Sequence, residues 1–143
     1  MGKKRIIKKT GGEGEGQKSA SSSKGTRKKI EHAILYVRST YNNTHLTLTD
    51  QKGGVLLWST SGSLGYKGAK KGTPFAAGKV GDLLSEKAQA MGLKEVDVVV
   101  RGVGAGRESS IRSFTAKGIG ISSITDMTPV PFNGPKPPKP RRI

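Results

Sequence analysis

The chain has 143 residues and a formal net charge of +16, from 26 Lys and Arg against 10 Asp and Glu. This length corresponds to one domain of roughly 100–150 residues. So large a positive charge indicates a polyanionic partner, which is nucleic acid, an anionic membrane surface or an acidic protein. No run approaches the ~20 apolar residues of a membrane span, and the N-terminus lacks the apolar segment of a secretory signal. The absence of cysteine excludes disulfides and thiolate metal sites and fits a reducing compartment. Together with the lack of long apolar segments, it leads us to expect a cytoplasmic protein without a membrane partner.

The positive charge is concentrated at the two ends of the chain. Residues 1–30 hold ten basic residues and two acids, a charge of +8. Residues 127–143 hold four basic residues and no acid, a charge of +4. The long middle, residues 31–126, holds twelve basic residues and eight acids and therefore also carries only +4.

The same ends are too polar or too rich in proline to fold alone. Residues 10–26 are almost entirely Gly, Ser, Glu, Lys and Gln, so they cannot offset the entropy of becoming ordered. Proline fixes the backbone of the C-terminal run in an extended form. We therefore predict an N-terminal extension (1–29) that is disordered when free, a domain (30–128) and an extended basic tail (129–143).

The domain begins with three predicted strands, over 33–38, 45–49 and 55–58. His45 to Thr49 alternates polar and apolar side chains, as a half-buried strand does. The strands are joined by Asn42–Asn43 and by turn residues over 50–54. Connections this short predict an antiparallel meander.

A helix is predicted after a glycine-rich loop. Thr73 is a good N-cap and Pro74 a good first residue, apolar residues then recur at helical spacing, and Gly92 ends the helix.

The remaining elements are a strand over 96–100, a helix over about 107–117 and a strand over 119–124. The nearly continuous apolar run in the first of these strands predicts burial on both faces. The alternation of strands and helices predicts a parallel portion covered by helices. We therefore predict an α/β fold with a mixed five-stranded sheet and two main helices, an order that resembles ribonuclease H-like architecture.

Enzyme chemistry is not supported by these residues. Ribonuclease H-like nucleases place acids on the first and fourth strands to bind magnesium, whereas the first predicted strand contains no acid. The only histidines, His32 and His45, have no nearby residues that would complete a metal-ligand set. We expect no catalytic residue, no metal and no cofactor.

The segment Gly102-Val103-Gly104-Ala105-Gly106-Arg107 follows a strand and opens a helix, where phosphate-binding loops lie. The dinucleotide pattern needs a glycine where Arg107 stands, so a bound nucleotide is weakly supported. Glycines that admit a close approach, helix N-terminal amides and the guanidinium of Arg107 would suit an RNA phosphate equally well. The alternative interpretation is a tight turn.

The loop over 62–72 has a similar composition. It interleaves four glycines with Lys67, Lys70, Lys71 and one tyrosine, then leads into the first helix. Cations, amides and an aromatic ring able to stack on a base are typical of RNA contacts. A merely flexible loop is the alternative.

Several separated motifs resemble one family. Asn42-Asn43-Thr44, Thr49-Asp50, Trp58, 71–77 (KGTPFAA), 104–108 (GAGRE), 124–131 (ITDMTPVP), Asn133-Gly134 and 137–139 (PPK) with Arg141-Arg142 match, in order, the eleventh protein of the small ribosomal subunit. The match covers about 30–143. The chain departs from the family's usual pattern at 70–72 and 102–104 and in its tail. These changes indicate a divergent bacterial or organellar member, and with no evident transit peptide we expect a bacterial one.

The resemblance implies a structural protein that binds 16S-type ribosomal RNA. Family members lie on the platform of the small subunit, bridge several RNA helices and help form the cleft for the Shine–Dalgarno duplex near the messenger RNA exit path. Implied neighbours are small-subunit proteins seven and eighteen, with a link to initiation factor three. A free-standing nucleic-acid-binding module and a nucleotide-binding or nuclease enzyme are the alternatives.

The charge pattern and the resemblance together give the candidate RNA contacts. They are cations, turn residues and loop glycines at strand ends, in the two loops and in the tail: Arg38, Asn42, Asn43, Lys67, Lys70, Lys71, Arg101, Gly104, Gly106, Arg107, Arg112, Asn133, Lys136, Lys139, Arg141 and Arg142. Because loops that follow parallel strands gather at one sheet edge, we expect the cations of the two loops to lie mainly on one side, near the start of the tail.

Overall fold

Five strands and two helices follow one another in the predicted order. The computed structural model describes residues 29–142. Its elements are β1 (His32–Ser39), β2 (Thr44–Thr49), β3 (Val55–Thr60), α1 (Pro74–Ala90), β4 (Glu95–Arg101), α2 (Gly106–Thr115) and β5 (Gly120–Asp126), with a short 3-10 helix (Gly68–Gly72) before α1. The predicted α/β fold class is confirmed.

The strands form one mixed sheet in the order β3-β2-β1-β4-β5. β1 is antiparallel to β2, and β2 to β3, because each pair is joined by a short turn. β1 is parallel to β4, and β4 to β5, because a helix lies in the connection before each later strand. In the central register, Leu35 of β1 lies opposite Leu48 of β2 and Val98 of β4.

The core lies between one face of this sheet and the two helices. Leu35 and Val37 of β1 are fully buried, whereas Tyr36 and Arg38, which point to the other face, are exposed. Phe114 of α2 is also fully buried, and burying such a side chain contributes about 1.5–3 kcal/mol. α1 packs against α2 so closely that a Cβ on Gly81 would lie 2.5 Å from the carbonyl oxygen of Ser110. Both helices therefore cover the same face of the sheet.

Helix α1 begins and ends as its sequence predicts. The Thr73 hydroxyl accepts a hydrogen bond from the backbone N–H of Ala76 at 3.3 Å, and Pro74 is the first helical residue. Gly92 adopts a φ of +85° just beyond the helix, where its N–H donates to the carbonyl of Gln89 at 2.9 Å. The conformation at Gly92 is one that glycine adopts without strain, so the helix ends there.

Some predictions about the other elements were wrong. β4 is not buried on both faces. Val98 and its neighbours on the same side are buried, but Asp97 and Val99 are half-buried because neither α1 nor α2 covers that side. α2 lies where it was predicted, but it begins one residue earlier, at Gly106, and ends two residues earlier, at Thr115. The 3-10 helix was not predicted. The predicted N-terminal extension lies, apart from residue 29, outside the described residues.

Candidate nucleic-acid interface

The two glycine-rich loops meet at the turn between β1 and β2. A Cβ on Gly72 would lie 2.1 Å from the carbonyl oxygen of Tyr41, and a Cβ on Gly104 would lie 2.3 Å from that of Thr40. Both loops therefore pack their backbones directly against this turn. We call this end of the sheet, formed by residues 40–43, 61–72 and 102–106, the loop edge.

The C-terminal tail starts at the same loop edge. The N–H of Met127 donates to the carbonyl of Val100 at 2.9 Å, and the N–H of Gly102 donates to the hydroxyl of Thr128 at 3.2 Å. Beyond Thr128 every described residue to Arg142 is exposed. Asn133 adopts a φ of 51°, a turn conformation that asparagine tolerates better than most residues. The tail cations Lys136, Lys139, Arg141 and Arg142 all lie on this exposed stretch.

The candidate cations of the loop edge have no carboxylate partners in the described part of the chain. Six ion pairs form among residues 29–142, and they engage Lys79, Lys94, Lys117, Arg107, Arg112 and His32. None of them engages the remaining candidates in the domain, which are Arg38, Lys67, Lys70, Lys71 and Arg101. Of these five, only Lys71 is half-buried and the others are exposed. The cations of the loop edge, together with Arg38 and Arg101 at the adjoining ends of β1 and β4, therefore form a positive surface without carboxylate partners among residues 29–142.

Arg107 differs from these cations because its guanidinium is used within the protein. It donates to the carbonyl of Gly102 and to the Asp126 carboxylate, and lies 3.4 Å from the Thr128 hydroxyl. Hydrogen bonds from Thr128, followed by that from Arg107, lower the pKa of Asp126 to about 2. The guanidinium predicted to bind a phosphate thus fastens the glycine-rich loop to the end of β5.

The glycines of this loop contact protein on the side where a Cβ would lie. Gly104 and Gly106 are both buried. A Cβ on Gly106 would lie 2.3 Å from the Thr44 hydroxyl oxygen and 2.7 Å from the Cβ of Ala77. Packing explains why both residues lack a side chain: Gly104 lies against the end of β1 and the turn that follows it, and Gly106 lies against β2 and α1. This is closer to the alternative interpretation of a tight turn. RNA contact through their amides stays a prediction.

The other predicted contacts lie in different surroundings. Arg112 is exposed on α2 and pairs with Glu108 one turn earlier. Asn42 is exposed at the loop edge, whereas the half-buried Asn43 accepts a hydrogen bond at its carbonyl from the N–H of Thr40 at 2.9 Å. The amide of Asn43 also contacts the ring Nε2 of His45 at 3.0 Å. Burial, and then the charge of Arg38, lower the pKa of His45.

Two aromatic side chains on the uncovered face of the sheet were not among the predicted sites. Tyr36 and Trp58 are 41% and 64% exposed. The sequence of β1 does indicate the exposure of Tyr36. Tyr36 and Arg38 alternate with the apolar Leu35 and Val37, so they point to the opposite face of the strand. The sequence alone does not show that no helix covers that face.

Neither a metal centre nor a membrane-spanning helix is found among residues 29–142. No group of three or more His, Cys, Asp or Glu side chains in that part of the chain could hold a metal ion. No helix there is long and apolar enough to cross a membrane.

A comparison with protein families gives one match over most of the chain. The family model described as ribosomal protein S11 matches residues 33–142. This family comprises structural, non-enzymatic proteins of the small ribosomal subunit that bind ribosomal RNA.

Proposed function

Because the chain belongs to the ribosomal protein S11 family, we propose that it binds 16S-type ribosomal RNA on the platform of the small subunit and bridges several RNA helices there. The observation that supports this proposal most directly is the meeting of two loops and the start of the tail at one loop edge. RNA that binds at the loop edge can therefore contact both the folded domain and the extended tail.

Charge explains why the loop edge suits RNA phosphates. The domain as a whole holds only +4 over residues 31–126. Its acids nevertheless pair mainly with other cations, so Lys67, Lys70 and Arg101 keep their charge for an external anion. Cations that neutralise phosphates release the counterions of the RNA, which favours binding at low salt.

The tail adds a second arm to the same interface. Its four cations are exposed along a chain that several prolines keep extended. Arg141 and Arg142 can each make a bidentate contact with a phosphate, whereas Lys136 and Lys139 act as point charges. Two linked contacts on different RNA helices bind more tightly than either alone, because the second contact forms within one complex.

The resemblance of the motifs supports a finer placement within the subunit. We infer a position near the Shine–Dalgarno cleft and the messenger RNA exit path, in the cytoplasm. Small-subunit proteins seven and eighteen are the inferred neighbours, and initiation factor three is an inferred transient partner.

Bridging is tested by directed cleavage of RNA in the assembled small subunit. The chain contains no cysteine, so Ala69→Cys and Val103→Cys each give one attachment site for an iron chelate on one of the two loops. Both residues are exposed. We expect hydroxyl radicals from these sites to cut at least two different RNA helices near the loop edge.

The matched control is Lys52→Cys, which is exposed in the β2–β3 turn at the opposite end of the sheet. Its cuts should differ from those of both loop variants. If both loop sites cut only a single RNA helix, the protein is a one-site binder and the bridging mechanism is wrong.

A further inference from the structure

One face of the five-stranded sheet is covered by none of the helices among residues 29–142. Residues that pair across strands share a face, and the register places Trp58, Thr47, Tyr36, Val99 and Thr125 in one row across all five strands. We call the face that includes this row the open face. Its two aromatic side chains are the partly exposed Tyr36 and the largely exposed Trp58. Exposed apolar side chains that share one face and are bordered by polar residues mark a surface for contact with another molecule.

A second row lies on the open face, one step closer to the loop edge. It places His45, Arg38 and Arg101 side by side on β2, β1 and β4. Arg38 and Arg101 are register partners on neighbouring parallel strands, so their positive charges repel each other. Neither guanidinium has a carboxylate partner among the described residues. An anion bound between the two would remove this repulsion.

The two rows enclose one shallow depression. Its volume is about 320 Å³, and it is lined by Tyr36, Val37, Arg38, His45, Thr47, Val99 and Arg101. Cations thus border its end near the loop edge, while a tyrosine ring and a valine lie at the other end. This combination of a positive end and a flat apolar surface matches the two parts of a nucleotide, a phosphate and a base.

We propose that the open face binds an unpaired segment of RNA, with a phosphate held between Arg38 and Arg101 and bases stacked on Tyr36 and Trp58. The inference rests on the proposed function, because it assigns a kind of RNA to a second surface of the same protein. Tyr36 and Trp58 are separated by one strand, which is roughly 10 Å, so they contact different bases. The bases of a double helix present only their edges in the grooves, whereas unpaired bases can stack on aromatic side chains.

Charge favours RNA over other occupants of the open face. Asp97 lies on this face, and its carboxylate accepts a hydrogen bond from the Ser123 hydroxyl at 2.6 Å and lies 3.3 Å from the His32 ring. The segment 1–30 of this chain holds +8 and would be repelled by the arginine pair. A second copy of the chain would bring its own arginines and a charge of +16.

The chain contains a single tryptophan, so its fluorescence reports on the open face alone. The full-length protein is titrated with a single-stranded RNA oligonucleotide of mixed sequence and with a duplex of the same length. We expect saturable quenching of Trp58 by the single strand and little quenching by the duplex. Binding itself is followed in parallel by the anisotropy of labelled RNA.

Substitutions separate stacking from general attraction. Tyr36→Leu should weaken binding of the single strand by roughly five-fold or more, the lower end of what stacking of one base contributes. Arg38→Gln should weaken it more than Lys87→Gln, which removes one exposed cation from the helix-covered side. Melting temperatures of the free variants show whether each still folds.

The outcomes distinguish a failure of the inference about the open face from a failure of the proposed function. If RNA binds with unchanged Trp58 fluorescence and Tyr36→Leu has no effect, the inference about the open face is wrong and the proposed function stands. Equal quenching by duplex and single strand likewise contradicts recognition of unpaired RNA. If the protein binds neither these RNAs nor ribosomal RNA, the proposed function itself fails.

Discussion

Arg107 joins three parts of the chain that meet at the loop edge. Its guanidinium contacts the carbonyl of Gly102 in the loop, the carboxylate of Asp126 at the end of β5 and the hydroxyl of Thr128 at the start of the tail. The Asp126 carboxylate also accepts hydrogen bonds from the N–H and hydroxyl of Thr128, at 2.9 and 2.6 Å. Arg107 therefore acts as a positioning residue that fixes where the tail leaves the domain.

Arg107→Ala should lower the melting temperature of the free protein at neutral pH by a few degrees, roughly the effect of removing one or two such bonds from a domain of this size. The pKa of Asp126 is lowered to about 2 from an ordinary 3.8, so its charged form is stabilised by folding. This contribution is fully present above pH 4 and disappears as the pH falls through about 2. The difference between Arg107→Ala and the natural protein should therefore shrink between pH 4 and pH 2, as followed by thermal unfolding.

Arg112→Ala is the matched control for this measurement. Arg112 lies on the same helix and forms an ion pair with Glu108, but both side chains are about four-fifths exposed, so their pairing contributes little. Its removal should leave the melting temperature nearly unchanged. If Arg107→Ala leaves the melting temperature unchanged and weakens RNA binding, the guanidinium contacts a phosphate as the sequence predicts.

Among the elements, the connection between β4 and α2 shows most clearly what its glycines do. Gly102 has a φ of +105°, and a Cβ there would lie 2.0 Å from the carbonyl oxygen of Ser39. Gly104 has no such φ, but a Cβ on it would lie 2.3 Å from the carbonyl of Thr40 and 2.4 Å from the Ser39 hydroxyl. The loop can pass over the end of β1 only because these side chains are absent.

Gly104→Ala should therefore destabilise the domain by about 1–3 kcal/mol, the usual effect of forcing a methyl group into a packed site. The backbone oxygen of Thr40 cannot move away without disturbing the β1–β2 turn. Gly54→Ala is the control, because a Cβ there would meet nothing within 4 Å. Urea unfolding of both variants measures the difference. Equal stability of the two variants would mean that the loop relaxes away from the turn.

The elements that the sequence predicts well are those that local chemistry determines. Helix α1 was predicted because its cap Thr73, its Pro74 and its terminal Gly92 are all local signals. The partners of the loop glycines could not be predicted, because Ser39 and Thr40 lie some sixty residues away along the chain. The half-exposure of Val99 was missed for a related reason. A run of valines reports that a strand is apolar, but only the packing of both helices on one face shows which side remains open.

The order of the elements indicates where the loop cations lie, but it does not indicate whether they are paired. Lys67 and Lys70 lie at the predicted edge, and neither has a carboxylate partner among the described residues. Arg107 has the same charge, but it forms an ion pair with Asp126. Nothing in the order of the sequence indicates that these two residues lie together. Pairing across strands and helices depends on tertiary structure, so the sequence alone does not show which cations are already paired within the protein.

For the molecule as a whole, the division of charge is as informative as its total. Most cations on the helix-covered side and at the end of the sheet opposite the loop edge are paired with an acid, as Lys79, Lys94 and Lys117 are, whereas Lys52 and Lys87 are not paired within the described part of the chain. Those of the loop edge and the tail have no such partner among residues 29–142. One side of the protein is therefore nearly neutral, and the other carries positive charge that is not paired within the described residues. The open face continues from this positive side, since Arg38 and Arg101 lie where β1 and β4 reach the loop edge.

Deleting both ends, 1–28 and 129–143, should lower the dependence of RNA affinity on salt. Together, 1–30 and 127–143 hold +12 of the +16. For each phosphate that the protein no longer neutralises, the slope of log affinity against log salt falls by roughly 0.7–0.9. Removal of 129–143 alone, which holds four cations, should reduce the slope by about three if every cation contacts one phosphate. The measurement is a series of RNA titrations at increasing potassium chloride.

Removing the same charge from the nearly neutral side distinguishes direct phosphate binding from general attraction. Replacing Lys79, Lys87, Lys94 and Lys117 by glutamine removes the same four charges, yet three of these lysines are paired with acids. If affinity follows net charge alone, this variant and the tail deletion will show the same slope. If the tail contacts phosphates directly, the deletion will lower the slope and the lysine variant will not. An unchanged slope in the deletion would show that the tail is passive, and the loop edge would then have to supply the phosphate contacts on its own.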